Sequence, residues 1–287
     1  MNAPISQKPV GPEDLEARQR PVLHTYRSWQ RFHAGPRQEA RPLTSALAAF
    51  PDAVLVAGCQ RSGTTMLTRV IARSRGFRSL QLTHDDELDA ALALGGYIDL
   101  PRDTRYCFQT TYLNERFPEY RTLGPDQRLI WVLRNPHSVV YSMVYNWRRW
   151  ALNELYESSL EQAAQRVPEA VAHPAGWWPF GPSRAHKAMV AYVGKSAQLF
   201  EIRKLVPPAQ LMVVEYDEVV QSPAEWLPRI FSFIRQPYDP AYAQMIRAAS
   251  VHKADRMPDS MRRQIDTIAM PTYEECLRLP RGTAAAA

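Results

Sequence analysis

The chain has 287 residues, 45% of them apolar and 22% charged, with a formal charge of +6 and a pI near 9.3. That balance excludes a disordered or collagen-like chain and, at this length, fits one α/β domain with elaborations and a sizeable core. The basic excess favours anionic ligands. The arginines are scattered, however, with short pairs only at Arg148-Arg149 and Arg262-Arg263, so nucleic acid is not expected as a partner.

Cys59, Cys107 and Cys276 are isolated and stand in no metal-ligand spacing, which suits free thiols in a reducing compartment. The N-terminus lacks an apolar leader, and no apolar run approaches the roughly 18 to 20 residues that cross a bilayer. A cytoplasmic protein without a transmembrane segment is expected.

Residues 1–50 read as an N-terminal arm and extension. The first twenty or so are polar and proline-containing, a flexible arm. From Tyr26 to Phe50, Tyr26, Trp29 and Phe32 mix with Pro36 and Pro42, and this stretch packs either across the domain or against a second subunit, as in a homodimer. The domain itself is expected at 51–283. Its organising stretch is VLVAGCQRSGTTML, residues 54–67, where an apolar run of strand length, Val54 to Ala57, ends at Gly58. Gly58 and Gly63 stand five apart with Thr64 and Thr65 following, the frame of the phosphate-binding loop Gly-x-x-x-x-Gly-Lys-Ser/Thr. Thr64 replaces the lysine, and the cation has moved into the loop as Arg61. Ser62, Thr64, Thr65, Arg61 and the loop N–H groups make a metal-free cradle for a phosphate carrying further charge. The plainer alternative is a turn whose hydroxyls only cap the next helix. Met66, Leu67, Val70 and Ile71 give that helix its apolar face, and its N-terminus favours an anion.

Farther on, LQLTHDDELDAALAL (residues 80–94) predicts a helix capped by Thr83 or Asp85. Residues 105–113 hold a short strand, residues 117–127 a loop, and LIWVL (129–133) a second buried strand. Asn135 and Pro136 are a strong helix start, followed by a face of Val139, Val140, Met143, Val144 and Trp147. Periodicity weakens over 150–183, an aromatic-rich insert that either covers a site or packs on the surface. Helices are expected at 186–205 and 224–234, a third buried strand at LMVVE (211–215), and disorder after Ala284. Alternating strands and helices argue a central parallel sheet with helices on both faces, and ligands in such folds sit at the carboxyl ends of the strands. Those ends carry residues 58–65, Arg134 and Tyr216, so one crevice should collect them.

Two stretches together resemble the sulfotransferases that use 3′-phosphoadenosine 5′-phosphosulfate (PAPS). GCQRSGTTML is similar to that family's loop for the 5′-phosphosulfate. LIWVLRNPHSVVYSM is similar to its 3′-phosphate element, an Arg at a strand end with a Ser eight residues on, and the two lie about seventy residues apart. The likeness covers roughly 53–217. It implies a three-layer α/β sandwich of the P-loop nucleotide kinase type, PAPS as donor without a metal, and sulfuryl transfer to a hydroxyl or amine of a small-molecule, carbohydrate or lipid acceptor. Gly58, Arg61, Ser62, Gly63, Thr64 and Thr65 would hold the 5′-phosphosulfate, Arg134 and Ser142 the 3′-phosphate, and Tyr216 of VEYDEVVQSP the adenine.

Two departures accompany the likeness. Where cytosolic members carry Lys-Thr-His this chain has Gln109-Thr110-Thr111, and their C-terminal Arg-Lys-Gly has only His252-Lys253, Arg256 and Arg262-Arg263 as counterparts. Other branches place an acid about twenty residues past the loop, where His84, Asp85, Asp86 and Glu87 stand, and the base is expected among them, with Arg61 on the charge growing at the bridging oxygen. Tyr145, Trp147, Trp150, Trp177 and Trp178 are candidate acceptor residues. The alternatives are a small-molecule kinase using ATP, with Asp217 as its acid for Mg²⁺, and a non-catalytic nucleotide-binding module.

Overall fold

The computed structural model describes residues 22, 24–26, 28–39, 41–80, 82, 85–173, 181–246 and 253–279. The expectations for His84, Trp177, Trp178, His252, the first twenty residues and the tail after 284 lie outside them. Five strands, β1 (Val54–Gly58), β2 (Phe77–Arg78), β3 (Arg105–Gln109), β4 (Arg128–Leu133) and β5 (Leu211–Glu215), form one sheet in the order β2-β3-β1-β4-β5. Every pairing is parallel.

The central strands are apolar apart from Arg105, Gln109 and Arg128 at their ends because both sheet faces are covered, and their alternation divides the core in two. Leu55, Ala57, Leu129, Trp131, Leu133, Leu211 and Val213 face one side. There they meet α3 (Asp86–Leu94), α4 (Pro136–Tyr145) and α7 (Arg184–Leu205). Val54, Val56, Ile130, Val132, Met212 and Val214 face the other, against α2 (Thr64–Ala72), α8 (Tyr216–Gln221) and α9 (Pro223–Phe233). The expected three-layer α/β sandwich is the observed one. No helix among the described residues is long and apolar enough to cross a membrane.

Three regions go beyond the sequence expectation. Residues 149–164 form a helix of sixteen residues, α5 (Arg149–Ala164), whose buried stripe mixes Leu152, Leu155 and Ala163 with Ser159 and Gln162. Those polar members blur the apolar period. This helix lies close on α7, where a Cβ on Gly194 would come within 2.2 Å of the Ser159 carbonyl oxygen. A short α6 (Pro168–Ala172) follows. At the C-terminus, α10 (Asp259–Ile268) and α11 (Met270–Arg278) bury Ile265, Tyr273 and Cys276 in the first core. Before the sheet, α1 (Trp29–Ala34) packs across the domain: Phe32 is fully buried, and its ring stands edge-on to Tyr112.

Candidate active site

The loop after β1 builds an uncapped helix start. Gly63, at φ +96°, is the N-cap of α2, and it makes no side-chain cap bond to the first-turn N–H groups. Those orphan donors and the helix dipole favour an anion. Ser62 is 1% exposed, and its hydroxyl has no hydrogen-bond partner among the described residues. Thr64 accepts from Gln109 Nε2 at 3.3 Å, while Thr65 lines the cavity in front of the loop. Gly58, the last residue of β1, sits in register with Val132. A pair of cations stands over this cradle, and burial and then the charge of Arg134 lower the pKa of Arg61.

Parallel register explains the second half of the site. Leu133 pairs with Glu215, so the next residues, Arg134 and Tyr216, leave the sheet side by side. The Arg134 guanidinium lies over the Tyr216 ring, 4.2 Å from its centroid, a cation–π contact. It also donates to the Arg61 carbonyl oxygen at 3.3 Å and lies 3.7 Å from the Asp217 carboxylate. Burial raises the Asp217 pKa against the pull of Arg134. The same tyrosine ring closes over Gly63, where a Cβ would come within 2.0 Å of it. Arg61 Nε donates to Ser142 Oγ at 3.0 Å, tying the loop to α4. Arg61, Gly63, Thr64, Thr65, Arg134, Ser142 and Tyr216 thus line one cavity of about 2030 Å³. A smaller one of about 540 Å³, bounded by Thr65, Met66, Tyr216, Gln244 and Met245, opens beside it.

The acids at the start of α3 have separate tasks. Asp85 is the N-cap: its Oδ1 accepts from the N–H groups of Glu87 and Leu88, and its Oδ2 from Trp29 Nε1 at 2.8 Å. Asp86 pairs with Arg69 of α2. Glu87 faces the cavity, half-buried, and accepts from the Thr111 hydroxyl. Burial first, then the neighbouring Asp85, pushes its carboxyl up to about 8. A group so tuned holds or takes a proton near neutral pH.

The cavity lining is also aromatic, with Trp29, Tyr141, Tyr145, Trp147 and Trp150, and with His33 and Glu154 3.0 Å apart. Burial holds His33 down at about 4. His33, Asn114 and Tyr141 carry no sequence signal, and the sequence assigns neither Trp29 of the N-terminal extension nor Gln109 of the Gln109-Thr110-Thr111 stretch to this cavity, since only the fold brings these residues together. At the far end Arg262 is occupied locally, donating to the Met257 and Ala254 carbonyls.

Residues 51–261 match the family model described as "Sulfotransferase domain". No curated protein matches the chain. Among solved structures the chain is similar to mouse sulfotransferase SULT7A1 complexed with PAP, at 14% identity over 85% of this chain and 96% of that one, with a TM-score of 0.48. It is also similar to a sulfotransferase from Alicyclobacillus acidocaldarius, at 14% identity over 83% and 96%, TM-score 0.45. Sulfotransferase STF9 from Mycobacterium avium shares 11% identity over 94% and 85%, TM-score 0.46. With its phosphate-type loop, its strand-end arginine and a family match that spans both, the chain belongs to the sulfotransferase family.

Proposed function

We propose that this crevice moves a sulfuryl group from PAPS to a hydroxyl or amine of a small-molecule, carbohydrate or lipid acceptor, with Glu87 as the base. The carrying observation is that the uncapped start of α2 and the Arg134 guanidinium face one cavity and are linked through Arg61 and Ser142. The donor set fits a doubly phosphorylated nucleotide: N–H groups, four hydroxyls and two guanidinium groups, one of them over a tyrosine ring. Gly58, Arg61, Ser62, Gly63, Thr64 and Thr65 hold the 5′ end, Arg134 and Ser142 the 3′-phosphate. Tyr216 bounds the smaller cavity, where the adenine rests beside Met66 and Met245.

PAPS supplies the sulfuryl group, whose bond to the 5′-phosphate oxygen breaks as the acceptor oxygen or nitrogen bonds to sulfur. Glu87 takes the acceptor proton. Arg61 and the α2 N–H groups receive the charge left on the 5′-phosphate. Asp85 is spent on its helix and on Trp29, which favours Glu87 over its neighbour. Asp217, the acid a kinase would need for Mg²⁺, lies against Arg134 instead.

Thermal shift tests the donor. Adenosine 3′,5′-bisphosphate alone should raise the melting temperature by mass action, and Arg134→Ala should abolish the rise. A rise with ADP and Mg²⁺ only would replace this function with phosphoryl transfer. Labelled PAPS with a panel of acceptors then divides an enzyme from a binding module.

A further inference from the structure

Lys195 lies inside α7, 2% exposed, and forms no salt bridge among the described residues. Its ammonium donates to the Thr111 carbonyl at 2.8 Å and to Asn114 Oδ1 at 3.1 Å. Gln60, from the loop after β1, donates to the same two oxygens at 3.0 and 3.4 Å. The turn after β3 is thus clamped from two sides, and Asn114 is held at φ +41°, a conformation that persists only where surroundings impose it. From the front of this turn the Thr111 hydroxyl donates to Glu87. Burying an ammonium without a carboxylate in contact is costly, and a methionine would fill the space more cheaply.

Asp85 at the helix start and Glu154 on α5 both act against the ionisation of Glu87, while the Thr111 hydroxyl and the charge of Lys195 favour it. We propose that Lys195 is a positioning residue for the transfer: its ammonium fixes the Thr111–Asn114 turn from behind and so holds the Thr111 hydroxyl against the Glu87 carboxylate. The inference rests on Glu87 being the base. Burial lowers the lysine to about 7 while the charges of Cys59, Glu87 and Glu115 pull it back up and Arg37 opposes them.

The test combines two measurements over about pH 5 to 11. One is the ¹³C-carboxyl titration of Glu87, identified by the signal that Glu87→Gln removes. The other is sulfate released from labelled PAPS with water as the acceptor. Lys195→Met should raise the Glu87 midpoint by about one pH unit or more, carry the acidic limb of the rate profile with it, and slow release near neutrality about tenfold. The Kd for adenosine 3′,5′-bisphosphate should stay within about twofold, and in a Glu87→Gln background the lysine change should add no further loss. A merely structural lysine would lower the melting temperature and leave both midpoints in place, and that result overturns the proposal. Should Lys195→Met not fold, Lys195→Gln decides, since it removes the ammonium while keeping a polar side chain in the buried site: an upward midpoint supports the proposal and an unmoved one overturns it. Wild-type release by Glu87→Gln overturns the base assignment itself, whereas an inactive Glu87→Gln beside an unmoved Lys195→Met overturns the role of Lys195 alone.

Discussion

Gly63→Ala probes the contact on which the proposed nucleotide site is built. At φ +96° an alanine pays the left-handed penalty of about 1–2 kcal/mol. Its Cβ would also stand 2.0 and 2.1 Å from two carbons of the Tyr216 ring, so the ring must move by more than an ångström. Overpacking of that kind costs about 1–3 kcal/mol, for a total of about 2–5 kcal/mol. A displaced ring also leaves Arg134, whose cation–π contact contributes about 0.5–2 kcal/mol. Urea unfolding at unchanged m-value reads the stability, and calorimetry with adenosine 3′,5′-bisphosphate reads the site, where affinity should fall about tenfold or more. The two costs separate in a Tyr216→Ala background: the overlap disappears, the backbone penalty stays, and a coupling of about 1–3 kcal/mol should appear. Equal cost in both backgrounds would refute the ring over the glycine, and wild-type stability of Gly63→Ala would refute the strained turn as well.

Glu87→Gln should stabilise the protein with a defined pH dependence. The folded carboxyl titrates at about 8, above its ordinary value of 4.5, so between those values the folded state keeps a proton that the unfolded chain has lost. Stability therefore falls as pH rises through this window, and thermal melts of wild type and Glu87→Gln should coincide near pH 4.5 and separate progressively above it, the variant melting higher. From about pH 7 upward Lys195 acts with the opposite sign, its folded value lying below the ordinary one, so the clean comparison is below that pH. Gly194→Ala tests the α5–α7 approach through its sign. In a helix with room, alanine stabilises by about 1 kcal/mol over glycine. Here its Cβ would meet the Ser159 carbonyl at 2.2 Å, backbone that cannot rotate away, so the melting temperature should fall, and a rise would refute the close approach.

What the sequence made legible was local. β1, β4 and β5 are short apolar runs, and the Gly58 to Thr65 frame, the Asn135–Pro136 helix start and the strand-end positions of Arg134 and Tyr216 all lie within a few residues of the signals that mark them. What stayed hidden depends on partners far along the chain. Lys195 meets Thr111 across 84 positions, inside a helix buried on most sides, where a lysine reads as a solvated surface residue. The acids at 85–87 carry the same lesson at close range. As letters they are equivalent candidates for one role, yet successive residues at a helix start point about 100° apart and so meet different surroundings. Asp85 turns to the backbone and to Trp29, Asp86 to Arg69 on α2, and Glu87 alone of the three to the Thr111 turn. The chemistry open to each is set by what it finds there: a cap and an ion pair stabilise an anion, whereas a half-buried carboxylate beside another acid holds its proton until near neutral pH, the property a base for an acceptor hydroxyl needs.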